Sequence, residues 1–229
     1  VELVNQKLKK NKVIHITVLE KGTDSDLLLF YDSLTRELGS CQQRTEDGRN
    51  NEIVDGKWLE VCFDPDVQDA FRHSKNHQPL HSDFSYVLPA PDFTLMCCVN
   101  KAPSGGETVF IDGYELTSIM RNKCPDLYSD IVNKELFFHK IFKNETKKRR
   151  EKIIDDTDEI VRLNWNYFCI DREENTISIE VLEKFQCFLE NEIMFNYVKP
   201  ILMERGEAVI WHDHLVFHGR NSYDAKNFG

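Results

Sequence analysis

Phe93-Thr-Leu-Met-Cys-Cys-Val99, Lys101-Ala-Pro-Ser-Gly-Gly-Glu107 and Thr108-Val-Phe-Ile111 are the stretch on which the fold class turns. Two short β-rich runs flank a Pro/Ser/Gly turn cluster, a pattern that predicts a strand pair. Further along, Leu116 to Val132 has helical periodicity, Asn144 to Glu159 is charged and predicts a flexible insertion, and Ile160 to Ile170 returns to strand character. Ser178 is placed to cap a helix from Ile179 to about Asn191, with Val181, Leu182, Phe185, Phe188 and Leu189 as its buried stripe. Gly206 opens a last strand, Glu207 to Trp211, ahead of His212 to Arg220.

In the other direction, Gln42 to Gly56 is polar and Gly/Asn-rich and predicts a surface loop. Leu27 to Leu38 repeats apolar residues at helical spacing with Gly39 as its stop; Val13 to Leu19 alternates as a strand does; Leu3 to Leu8 suits a short helix. Short strands with tight turns and helices at the edges predict a mainly β chain with flanking helices, a double-stranded β-helix or jelly roll, rather than βαβ units. One domain over residues 1–229 is expected.

Lys plus Arg is 29 against 39 Asp plus Glu, a net charge of −10 that repels nucleic acid and anionic membrane, so neither is an expected partner. The one basic run, Lys147 to Arg150 with Lys152, is followed by Asp155, Asp156, Asp158 and Glu159 and is expected to be a solvated mobile loop. The seven cysteines form no CxxC pair, and their odd number cannot be fully paired within one chain, which fits reduced thiols in a cytoplasmic protein. No apolar run approaches a membrane span, although a chain starting at Val1 leaves an earlier signal open.

Chemistry concentrates in two places. His81-Ser-Asp83 sets two potential ligands at i and i+2, which leave the same face of extended backbone and can converge on one ion. Taken alone, this reads first as a surface histidine beside an acidic turn. Trp211-His-Asp-His-Leu-Val-Phe-His218-Gly-Arg220 adds three histidines; His212 and His214 adjoin a turn, as rim residues do, whereas His218 precedes Gly219, where backbone approaches closely at little cost. Two imidazoles and one carboxylate on one face of an iron leave three positions open for a bidentate acid and dioxygen. Zinc prefers a closed site, and the thiolates that usually complete one are not clustered. No Gly-rich phosphate loop is present.

His81-Ser-Asp83, then Ser104-Gly-Gly-Glu-Thr-Val-Phe-Ile-Asp-Gly113, then Phe217-His-Gly-Arg220 together resemble the taurine dioxygenase (TauD/TfdA) superfamily, nearer its γ-butyrobetaine hydroxylase-like and clavaminate synthase-like branches. The resemblance spans roughly Leu80 to Tyr223. It implies an Fe(II)- and 2-oxoglutarate-dependent dioxygenase with His81, Asp83 and His218 as iron ligands and catalytic centre. It also implies that Thr108 holds a 2-oxoglutarate carboxylate. The family anchors the far carboxylate with an arginine beyond the distal histidine; the chain stops at Gly229, so that arginine and a C-terminal strand are expected past its end. Arg220 is the alternative cosubstrate contact or, as in the family, a support beside the site.

The expected substrate is a small carboxylate-bearing metabolite such as an amino acid, by analogy with the family. Asn76, His77, Phe84, Ser85 and Arg162 are candidate pocket residues, and Asn144 to Glu159 a candidate lid. Two alternatives are a JmjC-like protein hydroxylase or demethylase, and a catalytically silent jelly-roll binding module. Oligomeric state is not readable from these residues.

Overall fold

The computed structural model describes residues 1–18, 22–67, 70–175 and 177–225. In chain order the elements are α1 (Glu2–Leu8), β1 (Val13–Ile16), α2 (Asp24–Leu38), β2 (Arg44–Asp47), β3 (Glu52–Asp55), β4 (Gln78–His81), β5 (Phe93–Cys97), β6 (Thr108–Asp112), α3 (Gly113–Lys123), α4 (Pro125–Ile131), β7 (Glu135–Ile141), β8 (Thr146–Lys152), β9 (Ile154–Asp155), β10 (Arg162–Leu163), α5 (Ile179–Phe188), α6 (Met194–Asn196), β11 (Lys199–Ile201), β12 (Ala208–His212) and β13 (Val216–Arg220). The strand expected over Val13 to Leu19 ends at Ile16, and Leu19 lies outside the described residues.

Two antiparallel sheets, β1-β12-β5 and β11-β6-β13-β4, form the jelly roll. Side-chain alternation gives each sheet two faces with different partners. Val209 and Trp211 of β12 meet Phe110 of β6 and Val216 of β13 between the sheets. The outer face of the first sheet packs Ala208, Ile16 and Leu95 against Tyr31 and Leu34 of α2. The outer face of the second packs Leu80, Val109, Ile111 and Phe217 against the large core of α3, α4, α5 and β7. The helices therefore cover the outer faces, and the space between the sheets is left for chemistry.

The helix ends follow local rules. Thr23 and Asp26 close a capping box on α2. Asp112 caps α3, and Pro125, which cannot continue a helix but suits its first turn, splits the predicted Leu116 to Val132 segment into α3 and α4. Ser178 accepts from the Val181 amide, as expected, and α5 runs on through a π-turn at Leu189–Ile193.

Three expectations need correction. First, the strands flanking Lys101–Glu107 do not pair: β5 pairs β12, whereas β6 lies between β11 and β13. The turn cluster is a crossover between sheets, a long-range arrangement that local periodicity does not encode.

Second, the polar Gln42 to Gly56 segment is a hairpin, β2-β3. The Asp47 carboxylate accepts from the amides of Arg49 and Asn50 (2.9 and 3.2 Å), and Asn51 takes φ 54°, which asparagine tolerates. Buried Ile53 anchors the hairpin to the core, and Glu46 meets Arg72 (2.5 Å), Lys140 (2.7 Å) and the Tyr86 hydroxyl.

Third, the predicted insertion and basic loop form β8, paired along its length with β7. Its charges are spent within the protein: Lys148 reaches Asp171 (3.0 Å), Arg150 reaches Glu135 (2.8 Å), and both lie over the Phe137 ring. Opposite charges across strands and cations over a ring offset repulsion along the run. A hydrogen-bonded strand is not the mobile lid the composition suggested. Ile160 to Ile170 is likewise strand only at Arg162–Leu163, giving way to a 3₁₀ turn at Tyr167–Cys169.

Candidate metal centre

β4 and β13 are adjacent, and their register sets His218 directly opposite His81. Phe110 of β6 is the other cross-strand partner of His218. Residues 137 positions apart thus meet with ring centroids at 4.3 Å. Gly219 permits this closeness, because a Cβ there would lie 2.7 Å from the Gln78 carbonyl oxygen.

Asp83 completes the group. Its Oδ1 is 3.5 Å from His81 Nε2 and 3.4 Å from His218 Nε2, and the three donor atoms lie within 4.8 Å of one another. Metal bonds of about 2.1 Å at right angles put neighbouring donors about 3 Å apart, so a small contraction would suit one ion. His81 Nδ1 donates to the Pro79 carbonyl (2.9 Å), which leaves the Nε2 lone pair facing Asp83. The Gln78 carboxamide donates to that nitrogen (3.0 Å) and must turn aside for a metal. The two histidines are buried and Asp83 half-buried.

Electrostatics agree with a cation site. Burial pushes the Asp83 carboxyl up, but the adjoining His218 and His81 outweigh it and hold Asp83 far below the usual carboxylate range. Burial lowers both imidazoles; at His81 it prevails with help from His218, keeping that ring neutral, whereas at His218 the Asp83 carboxylate raises the proton affinity.

Asp213, which sequence reasoning passed over within the Trp211–Arg220 run, is 3% exposed and grips the ligand loop. Its carboxylate accepts from the amides of Asp83 (3.0 Å) and Phe84 (3.3 Å). Burial and the Asp83 charge push its pKa up to about 6. The only signal in sequence was an acid between two rim histidines. Those histidines lie apart from the triad: His212 Nε2 contacts the Leu8 carbonyl (3.0 Å), and His214 is half-buried on the following turn.

Thr108 is buried on β6, directly opposite Arg220. Arg220 Nη2 donates to the carbonyls of Phe71, Ser74 and Asn76 (3.1, 2.6 and 3.0 Å), and its guanidinium lies over Tyr223. It therefore clasps the loop leading into β4. Asn76, His77 and Arg162 are exposed; Phe84 packs on the core, and Ser85 is fully buried. A small cavity of about 30 Å³ adjoins His81 and is lined by Phe71, Gln78, Asn166, Tyr167, Phe168 and Gln186, among others. Arg149 of β8 also reaches the site's edge, donating to the Phe84 carbonyl (3.3 Å).

The donor set, two imidazoles and one carboxylate on one side, fits mononuclear iron with open positions. Between the sheets beside it, Thr94 Oγ1, Trp211 Nε1 and His218 Nδ1 are buried with no protein partner. Such groups suit a site that takes a polar ligand.

Among known proteins, human gamma-butyrobetaine dioxygenase is 22% identical over 154 residues, which are 63% of this chain and 40% of that protein. The chain thus spans well under half the length of this curated relative. An asparagine oxygenase in complex with Fe(II), 2S,3S-3-hydroxyasparagine and succinate superposes with a TM-score of 0.65 at 12% identity, covering 100% of this chain and 76% of that one. The non-heme iron oxygenase OrfP, in complex with (3S)-hydroxy-L-Arg, gives 0.64 at 9% identity with the same coverage. No described helix is long and apolar enough to cross a membrane. Residues 1–227 match the taurine catabolism dioxygenase TauD, TfdA family, and the chain belongs to it.

Proposed function

We propose that the chain is an Fe(II)- and 2-oxoglutarate-dependent dioxygenase that oxidises an unactivated C–H bond of a small carboxylate-bearing metabolite, such as an amino acid. The single observation that carries this reading is the convergence of His81, Asp83 and His218 with donor atoms within 4.8 Å. These three residues hold the iron, and Thr108 contacts the cosubstrate. When bound, iron and 2-oxoglutarate supply the oxidation: dioxygen and 2-oxoglutarate become succinate, carbon dioxide and one oxygen atom for the substrate. The protein contributes position and dryness. Pro79 and Asp213 orient His81 and Asp83, and Arg220 fixes the loop that precedes β4. The amino-acid class is supported by the small substrates and products named for gamma-butyrobetaine dioxygenase, asparagine oxygenase and OrfP.

Anaerobic titration with Fe(II) and 2-oxoglutarate should give the weak visible charge-transfer band of the chelate. The band should vanish in Asp83→Ala and His218→Ala; its retention in both removes the ligand assignment. Mass spectrometry of aerobic reactions with a panel of amino acids should then find a product one oxygen heavier. A silent binding module would give neither band nor succinate.

A further inference from the structure

His81 and Asp83 turn their side chains to one side, where their donor atoms converge, so Ser82 between them turns the opposite way, as Leu80 does. Ser82 is 1% exposed, and there it meets the backbone of fully buried Trp165. The contact is reciprocal: the Ser82 amide donates to the Trp165 carbonyl (2.7 Å), and the Trp165 amide donates to the Ser82 hydroxyl (3.3 Å). Two residues earlier the same segment reaches the other half of the site, where the Leu163 amide donates to the His214 carbonyl (2.8 Å). Between these points the Asn164 carboxamide donates to the Ser85 carbonyl (3.4 Å). Residues 163–165 are therefore a strap laid across both ligand-bearing segments, the loop that carries Asp83 and the turn that leads to His218.

The strap is anchored from the helical insertion. The Trp165 indole N–H donates to the Gln186 carboxamide of α5 (2.9 Å), which donates in turn to Glu190 (2.8 Å) in the π-turn that prolongs the helix. The Phe185 ring closes edge-on against the indole, with centroids 4.8 Å apart. Gln186 is itself buried, so its carboxamide is satisfied only while the indole and Glu190 stay in place, and the chain of bonds holds one arrangement. Asp213 takes the next two amides of the ligand loop, those of Asp83 and Phe84, so three successive amides are held from two directions. Past Trp165, Asn166, Tyr167 and Phe168 line the small cavity beside His81, which makes the strap a wall of the site as well.

We infer that Ser82, Trp165 and Gln186 are positioning residues for the metal centre: the strap sets the separation of the proximal and distal ligands, and α5 sets the strap. This rests on the reading of His81, Asp83 and His218 as metal ligands. None of the three residues reaches the ion; each acts through the backbone beside a ligand.

The test is titration of the chelator-treated protein with Co(II), whose visible d–d bands report coordination geometry. Ser82→Ala removes the hydroxyl that accepts from Trp165; Gln186→Met keeps the length of the side chain and removes the acceptor for the indole. Each should raise the Co(II) Kd roughly tenfold, the lower end of what partners of metal ligands contribute, and alter the bands, whereas Ser82→Thr, which retains the hydroxyl, should stay within about twofold of wild type. Leu34→Ala, on α2 against the other sheet, costs stability without touching the strap and should lower the melting temperature with Kd and bands unchanged. Thermal melting checks that Ser82→Ala and Gln186→Met are folded, and either one alone is sufficient. Unchanged Kd and bands in a folded strap variant, or equal weakening in Leu34→Ala, overturns the inference and leaves the triad standing. A wild-type protein that takes up no Co(II) overturns the triad reading and the inference with it.

Discussion

Asp213 shows how a residue that touches no metal can govern one. Its two carboxylate oxygens satisfy the amides of Asp83 and Phe84, so the carboxylate ligand is held by its own backbone. Asp213→Ala leaves both amides without that acceptor, and second-layer partners of metal ligands typically change affinity ten- to a hundredfold. We expect Fe(II) affinity, measured by anaerobic titration, to fall by about that much in Asp213→Ala and by less in Asp213→Asn, which keeps one acceptor. Equal affinity in all three proteins would show that the loop is held otherwise. His81, Asp83 and His218 were legible because their short motifs, taken together and in order, resemble one family; the His-x-Asp spacing alone does not single them out. Asp213, Thr94, Trp211 and Gln78 were not, because their significance depends on which strand lies alongside.

Among elements, the β2-β3 hairpin is the instructive case, since polar composition concealed it. Glu46 ties it to Arg72, Lys140 and Tyr86. Burial pushes the Glu46 carboxyl up, but the Lys140 and Arg72 charges and its hydrogen bonds outweigh this and hold it below the usual range. A depressed folded pKa means that the stabilisation is complete above the ordinary glutamate pKa and is lost as pH falls through the folded value. Glu46→Gln should therefore lower stability by about 1–3 kcal/mol at neutral pH. The gap from wild type should close below about pH 4, near and under the ordinary glutamate value. Denaturant melts at both pH values measure this, and a gap independent of pH would assign the effect to packing. β13 carries a second constraint: Gly219→Ala places a methyl against the Gln78 carbonyl and should force β13 from β4, weakening Fe(II) binding together with thermal stability.

For the whole molecule, the centre fastens β4 to β13 across 137 residues of chain, from His81 to His218. A metal that binds only the folded form stabilises it by about 2.7 kcal/mol at a hundred times its Kd. In a domain of this size that is a rise in Tm of roughly 5–10 °C, to be read by calorimetry under anaerobic Fe(II) or with redox-inert Mn(II). The His218→Ala protein should show no such rise. The same long closure explains why the topology was only partly readable. A jelly roll followed from short strands and turn chemistry, but β5 and β6, neighbours in sequence, belong to opposite sheets.

From the sequence alone came the β-rich class and the helix cap at Ser178, each a matter of local spacing and side-chain type, while His81, Asp83 and His218 were singled out together through the resemblance of three ordered motifs to one family. Only the tertiary structure decided that the basic run of β8 is a paired strand, that Arg220 clasps the Phe71–Asn76 loop, and that Trp211 and Thr94 share an inner face with unpaired donors. Those outcomes depend on cross-strand register and on the satisfaction of buried polar groups, which are settled between residues far apart in the chain.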